Sequence, residues 1–262
     1  MAVEYRWAEG SYDRLPAMAA DLVRREVTVI VAITTPAAIA AKAATETIPI
    51  IFEMGTDPVD AGLVASLSHP GGNLTGVSLL NVELAPKRLE LLHQVTLTPI
   101  IGLLVNPDNR NAEIISREVQ AAAYTLGLQL HILRANAESG FDAVLGNLAE
   151  LRAGGLVIGS DPFFNTQSER LAGLLLHLGF PAIYQYREFA AAGGLMSYGG
   201  NITDPFRQTG SYTGRVLAGD KPGDLPVVQS AKIELIVNLK SAEKLGLTVP
   251  PSILARADEV IE

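Results

Sequence analysis

Residues 49–62 read PIIFEMGTDPVDAG, an apolar run from Pro49 to Phe52 halted by Gly55-Thr56-Asp57-Pro58. In the second half, residues 155–164 read GLVIGSDPFF, another apolar run halted by Gly159-Ser160-Asp161-Pro162. At a helix start, Asp or Thr accepts a hydrogen bond from a free backbone N–H, and Pro suits the first helical position. Each stretch therefore reads as a buried strand that turns into a helix. A strand apolar along its whole length is covered on both faces, as in a parallel sheet flanked by helices. One such unit in each half predicts two α/β lobes.

Working outward, short β-branched runs alternate with Ala/Leu-rich stretches. Strands are expected at 27–33, 48–52, 74–79, 99–105, 128–133, 155–158 and 181–186, with helices at 36–46, 58–68, 83–95, 111–126, 139–152 and 166–178. The array is long for one sheet, and its rhythm restarts after TLTPI at 96–100. Residues 195–200 (LMSYGG) then lead to a helix near 203–218, a Gly/Pro-rich stretch and a strand at 233–238 (IELIVN). These later pieces return to the first lobe and cross back. The expected division is 1–98 with about 193–226 in lobe one, and 99–192 with about 227–262 in lobe two. Several crossings between two lobes make a hinge architecture.

Composition narrows the function. With 262 residues, 48% hydrophobic and 18% charged, the chain is that of a packed globular protein. The net charge of −8, with dispersed basic residues, argues against nucleic acid as the main partner. The absence of cysteine removes disulfides, thiolate metal sites and cysteine nucleophiles. His69, His93, His131 and His177 are scattered, without metal-ligand spacing. No apolar run reaches the roughly 18–20 residues that span a bilayer, and MAVEYRWAEG has no signal-peptide pattern.

In open parallel sheets, ligands sit beyond the carboxyl ends of the strands, where loops feed helix N-termini. Those ends carry Thr34, Thr35, Gly55, Thr56, Asp57 and Ser78 in the first half. In the second they carry Asn106, Ser160, Asp161, Phe163, Tyr184 and Tyr198. Each cap taken singly is ordinary helix punctuation. Their clustering points further, because helix N-termini offer unpaired N–H groups and partial positive charge to a carboxylate. The Thr hydroxyls add neutral donors, while Asp57 and Asp161 suit an ammonium group. The combination matches a zwitterion. Phe163, Phe164, Tyr184 and Tyr186 stand at two adjacent strand ends, where they serve either the core or an apolar ligand wall.

Enzyme signatures are missing. No G-x-x-x-x-G-K-[ST] or G-x-G-x-x-G occurs after a strand, and Ser197 in LMSYG lacks the first glycine of a nucleophile elbow. HPGG at 69–72 reads as an approach to the strand at 74, and Glu53 and Asp57 do not share a helical face.

Longer phrases carry a resemblance. EYRWAEGSYDRLPAMAADLV, IPIIFEMGTDPVDAGLVASLSHPGGNLTGVS, KRLELL, SDPFFN, AIYQYREFAAAGGLMSYG and LKSAEKLGLTVPPSILARADEVI occur in that order. From about residue 3 to the last residue the chain resembles the tryptophan/tyrosine-type substrate-binding proteins of bacterial ABC transporters. The resemblance implies a type I periplasmic-binding-protein fold, in which two doubly wound parallel sheets are joined by three hinge strands and the ligand lies in the interlobe cleft. It implies no catalysis and no cofactor. The ligand it implies is an aromatic or other hydrophobic amino acid, the partner a membrane permease, and the location the periplasm. The ligand-facing segments it implies are the strand ends named above.

One departure stands out. The family pattern has a signal peptide, a strand and a helix ahead of EYRWAEG, and here almost nothing precedes it. Lobe one is therefore expected to lack its first strand and helix, through a shortened chain or a misplaced start codon. An exposed edge beside strand 27–33 would invite a homodimer, and Trp7 and Glu9 would lie at the cleft mouth. Two other readings remain: the sensing domain of a receptor or regulator, and a two-domain α/β enzyme.

Overall fold

The computed structural model describes residues 2–230 and 232–262. The chain folds as two compact units, Met1–Leu80 with Ile202–Ala231 and Asn81–Asn201 with Lys232–Glu262. Unit 1 contains α1 (Leu15–Arg24), β1 (Ile30–Ile33), α2 (Thr35–Ala44), β2 (Ile50–Met54) and β3 (Leu74–Ser78). Unit 2 takes over with α3 (Ala85–Thr96), β4 (Ile100–Val105), α4 (Asn111–Leu126), β5 (Gln129–Arg134), α5 (Gly140–Glu150) and β6 (Leu156–Ile158). It continues through α6 (Pro162–Thr166), α7 (Ser168–His177), β7 (Ala182–Tyr184), α8 (Arg187–Ala191) and β8 (Met196–Gly200). The chain then returns to unit 1 for α9 (Thr203–Leu217) and β9 (Val228–Gln229), and ends in unit 2 with β10 (Ile233–Asn238), α10 (Leu239–Lys244), α11 (Pro251–Leu254) and β11 (Glu259–Ile261). Among the described residues, no helix is long and apolar enough to cross a membrane.

In unit 1 the sheet is parallel throughout, in the order β1-β2-β3-β9. Its centre is PIIFEM. Ile50, Phe52 and Met54 pack with Ala38 and Ala41 of α2, while Ile51 packs with Val216 of α9 and with Leu225. Coverage of both faces explains why this strand is apolar without alternation. Gly76 of β3 lies so close to Phe52 that a Cβ would collide with its carbonyl. β1 forms the sheet's edge, and its Val31 is 45% exposed.

Unit 2 has the order β11-β10-β8-β7-β6-β4-β5. Here the expectation of a parallel sheet needs correction. β10 runs antiparallel to β8, with Ile233 opposite Gly200 and Val237 opposite Met196. Hydrophobicity reports burial and carries no strand direction, so the reversal was not readable.

The division between units also differs from the expected one. The first crossing falls at Leu80/Asn81, ahead of α3, because Leu89, Leu92 and Val95 of that helix join one core with Ile101, Leu103 and Val157. β8, expected in lobe one, pairs with β7 and β10 of unit 2. β9, expected in lobe two, extends the sheet of unit 1 beyond β3.

A third correction concerns residues 58–68, which form turns in place of a helix. A single helical turn does form, with Ala61 N–H bonded to Asp57 O and Leu63 N–H to Pro58 O. Gly62 then adopts φ 69° and ends it, as glycine does in the left-handed region. Lys42 of α2 holds the outgoing carbonyls of Gly62 and Leu63 at 2.5 and 3.0 Å. The helix expected at 166–178 forms as α7, and a short helix that was not expected, α6, precedes it across Gln167. Ahead of α1, Arg6 binds Asp21 at 2.7 Å, Arg14 binds Glu9 at 2.5 Å, and Trp7 stacks on Tyr5 with its ring exposed.

Candidate ligand-binding site

The carboxyl ends of β1, β2 and β3 bring most of the first-half candidates together. Thr34 N–H donates to Glu53 O at 2.7 Å. The hydroxyls of Thr35 and Thr56 meet at 3.1 Å, and Ser78 Oγ donates to Thr56 O at 2.9 Å. In the Thr35–Thr56 pair one hydroxyl donates to the other, which leaves one O–H for a further acceptor. Ser78 is fully buried and its proton is committed, so it holds the loop at Thr56 in place. Asp57 Oδ1 accepts the N–H groups of Val59 and Asp60 at 2.7 and 3.3 Å. Gly55 lies, half-buried, between these groups.

Two features of this end were not readable from sequence, the backbone conformation of the candidate Thr34 and the burial of Glu53. Thr34 has φ 94° and ψ 152°, a combination that a β-branched residue adopts only under strain. It is held there by the β-type bond to Glu53 and by Ala37 N–H reaching Thr34 Oγ1 at 3.5 Å. Glu53 is only 7% exposed. Burial raises its pKa to about 7, because desolvation disfavours the charged form. On β2 it shares a face with Ile51, the face packed by α9.

In unit 2 the candidates divide into two groups. Asp161 is consumed internally: its carboxylate accepts Asn106 Nδ2 at 3.1 Å, Asn109 Nδ2 at 2.7 Å and Phe163 N–H at 2.9 Å. It caps α6, and Asn106 ties that cap to β4. Phe163 packs with Phe141 and Phe164, ring centroids 5.7 and 5.4 Å away. Tyr184 stacks on Phe189 at 4.7 Å, and burial pushes its phenol pKa up. These four side chains serve the interior of the unit.

Ser160 and Tyr198 belong to the second group, which gathers around a residue the sequence reading passed over. Arg88 of α3 is fully buried. Its guanidinium donates to Asn81 O, to Tyr198 O at 3.1 Å and to Ser160 Oγ at 2.9 Å. Ser160 Oγ donates in turn to Asn81 O at 3.0 Å. The side chain of Asn81 donates to Tyr186 Oη at 2.8 Å and accepts Gly200 N–H at 3.2 Å. Gly199 is required beside them, since a Cβ would collide with Gln185 O. Burial lowers the Arg88 pKa to about 10, opposed by Tyr186, Glu83 and Tyr198, so the group remains charged at neutral pH. The signal was present in KRLELL. Arg88 occupies the stripe of Ala85, Leu89, Leu92 and Val95, where a charge on an otherwise apolar face marks a buried role.

With this geometry established, comparisons with known proteins converge. The model of the family "ABC transporter substrate binding protein" matches residues 1–261. A tyrosine-binding protein of Clostridioides difficile (strain R20291) is 28% identical over 249 residues, covering 94% of this chain and 70% of the relative. A conserved domain protein from Vibrio cholerae O1 biovar El Tor superposes with a TM-score of 0.88 at 29% identity, over 98% of this chain and 86% of that one. An ABC domain from Streptococcus pneumoniae, solved in complex with L-Trp, superposes at 0.86 and 27% identity, over 100% of this chain and 90% of that one. The architecture is that of the type I periplasmic binding proteins, and the chain belongs to the ABC transporter substrate-binding protein family.

Proposed function

We propose that this protein captures an amino acid with an aromatic or other hydrophobic side chain and delivers it to the permease of an ABC importer, working in the periplasm without catalysis. The observation that carries the reading is the likeness to the L-Trp-bound domain across the whole chain. The relative named as a tyrosine-binding protein supports the same ligand class. The local chemistry agrees with it. In unit 1, Thr34, Thr35, Gly55, Thr56 and Asp57 gather backbone and hydroxyl donors next to an acidic side chain. In unit 2, Ser160 is half-buried just past the end of β6 and Tyr198 is half-buried within β8. A zwitterion presents the complementary pair of charges.

The test is a thermal-shift series with L-tryptophan, L-tyrosine, L-phenylalanine and L-leucine, followed by calorimetry. A ligand bound only by the folded state stabilises it through mass action, by about 2.7 kcal/mol at a hundredfold excess over Kd, and so raises the melting point. No shift with any of the four at millimolar concentration would exclude the amino-acid reading. A homodimer through the open edge of β1 belongs to the same proposal, supported by exposed Val31. Multi-angle light scattering that gives a monomer mass for the wild type excludes it.

A further inference from the structure

Arg88 is a buried cation that forms none of the ion pairs within 4 Å among the described residues, and its Nε has no hydrogen-bond partner there. A guanidinium in such a place is costly, because its hydration is lost and the charge of Glu83 acts on it without forming an ion pair within 4 Å. Its partners show what the arrangement holds. Asn81 is the first residue of unit 2 after the chain leaves unit 1, and Tyr198 stands just ahead of the next crossing, at Asn201/Ile202. β8, which carries Tyr198, pairs with β10, and β10 begins just after the last crossing. The third partner, Ser160, stands at the end of β6 beside the cap of α6. Two backbone carbonyls from the crossing segments and one hydroxyl from a strand-end loop thus converge on a single guanidinium.

Resting on the solute-binding reading above, we propose that Arg88 is a positioning residue that couples Ser160 at the strand ends of unit 2 to the chain segments entering and leaving that unit. The route is continuous. Ser160 shares the Asn81 carbonyl with Arg88, and the Asn81 side chain bridges Tyr186 Oη to the N–H of Gly200. A ligand that engages Ser160 or Tyr186 thereby changes the hydrogen bonding of Asn81 and Gly200. A lysine at position 88 keeps the charge but not the planar fork, so it cannot reproduce three divergent contacts.

Hydrogen exchange at the Gly200 amide, read with and without L-tryptophan or L-tyrosine, tests this. In the wild type the amino acid slows exchange at Gly200 at least tenfold. In Ser160→Ala the affinity falls but saturation remains reachable, and the bound protein no longer gains protection at Gly200. Ser160→Thr, which restores the hydroxyl, recovers the protection. In Arg88→Lys the protection gained on binding is lost to the same extent, and if that variant does not fold the serine pair still decides. The inference is overturned if saturated Ser160→Ala gains the wild-type protection at Gly200. It is overturned as well if the wild type binds with no change there. If the wild type binds none of the four amino acids of the thermal-shift series, the amino-acid reading fails and this inference falls with it, an outcome distinct from the other two.

Discussion

At the scale of single residues, unit 1 holds two side chains in unfavourable states, and both are open to measurement. Glu53 lies in a sheet face covered by α9, and burial holds its pKa near 7 against an ordinary value of 4.5. The folded state therefore binds a proton that the unfolded state has released, so the contribution is full below pH 4.5 and is lost as pH rises to about 7. The shift corresponds to a loss on the order of 3 kcal/mol. Urea titrations are expected to show wild-type stability declining over that window relative to Glu53→Gln, which should match it at pH 4.5 and exceed it at pH 8. Parallel curves would show that Glu53 does not titrate there. Thr34, at φ 94°, stores strain of about 1–3 kcal/mol that glycine would not. Thr34→Gly is expected to gain about 1 kcal/mol after the entropy of the more flexible unfolded chain is deducted. A higher melting point accompanied by weaker ligand binding would identify the strain as part of the site, whereas a lower melting point would contradict it.

Elements show how the same punctuation produces different structure. Gly55-Thr56-Asp57-Pro58 and Gly159-Ser160-Asp161-Pro162 both read as strand-to-helix junctions, and both aspartates accept the N–H two residues ahead. Only the second leads into an assigned helix, because Gly62 takes the left-handed conformation one turn after the first. Their energetic roles differ too. Asp161 also satisfies two buried asparagine amides, whereas Asp57 Oδ1 accepts the exposed N–H groups of Val59 and Asp60. Asp161→Ala is therefore expected to cost about 3 kcal/mol, since it orphans buried donors, and Asp57→Ala about 1 kcal/mol. Chemical denaturation of the two variants measures the difference, and equal losses would contradict the assignment. The alternation of apolar and Ala/Leu-rich runs located eight strands and most helices, because burial on both faces leaves a compositional trace. It could not reveal the antiparallel entry of β10, which depends on chain direction, nor the end of the turn at Gly62, which depends on one backbone dihedral.

For the whole molecule, the two-unit plan was legible and its boundary was not. A restart of the βα rhythm near residue 98 looks like a domain start, but α3 already packs against the strands of unit 2. Long-range packing decides which neighbour an amphipathic helix joins, and no local pattern encodes that choice. For the candidate residues, the segments could be read but not the direction of their side chains. Most of the expected strand ends coincide with those of the structure, Tyr198 inside β8 being the exception, while Ser78, Asn106, Asp161, Phe163 and Tyr184 spend their polar or aromatic groups inside their own units. Residue type gives the chemistry available at a strand end. Whether that chemistry faces outward is a matter of pairing with residues far along the chain, as Arg88 with Ser160 and Tyr198 makes plain.

The threading of the chain has a consequence for biosynthesis. The last strand of unit 1, β9, and the strand that seals β8 in unit 2, β10, both follow residue 227. Neither sheet can be completed until nearly the whole polypeptide has left the ribosome, so the two units cannot mature one after the other. A chain ending at residue 226 is expected to lack cooperative unfolding in both units, as read by near-ultraviolet circular dichroism in a urea series. Retention of one intact transition would show that a unit folds alone. Late completion of this kind keeps both sheets open until residues 228–238 have emerged from the ribosome.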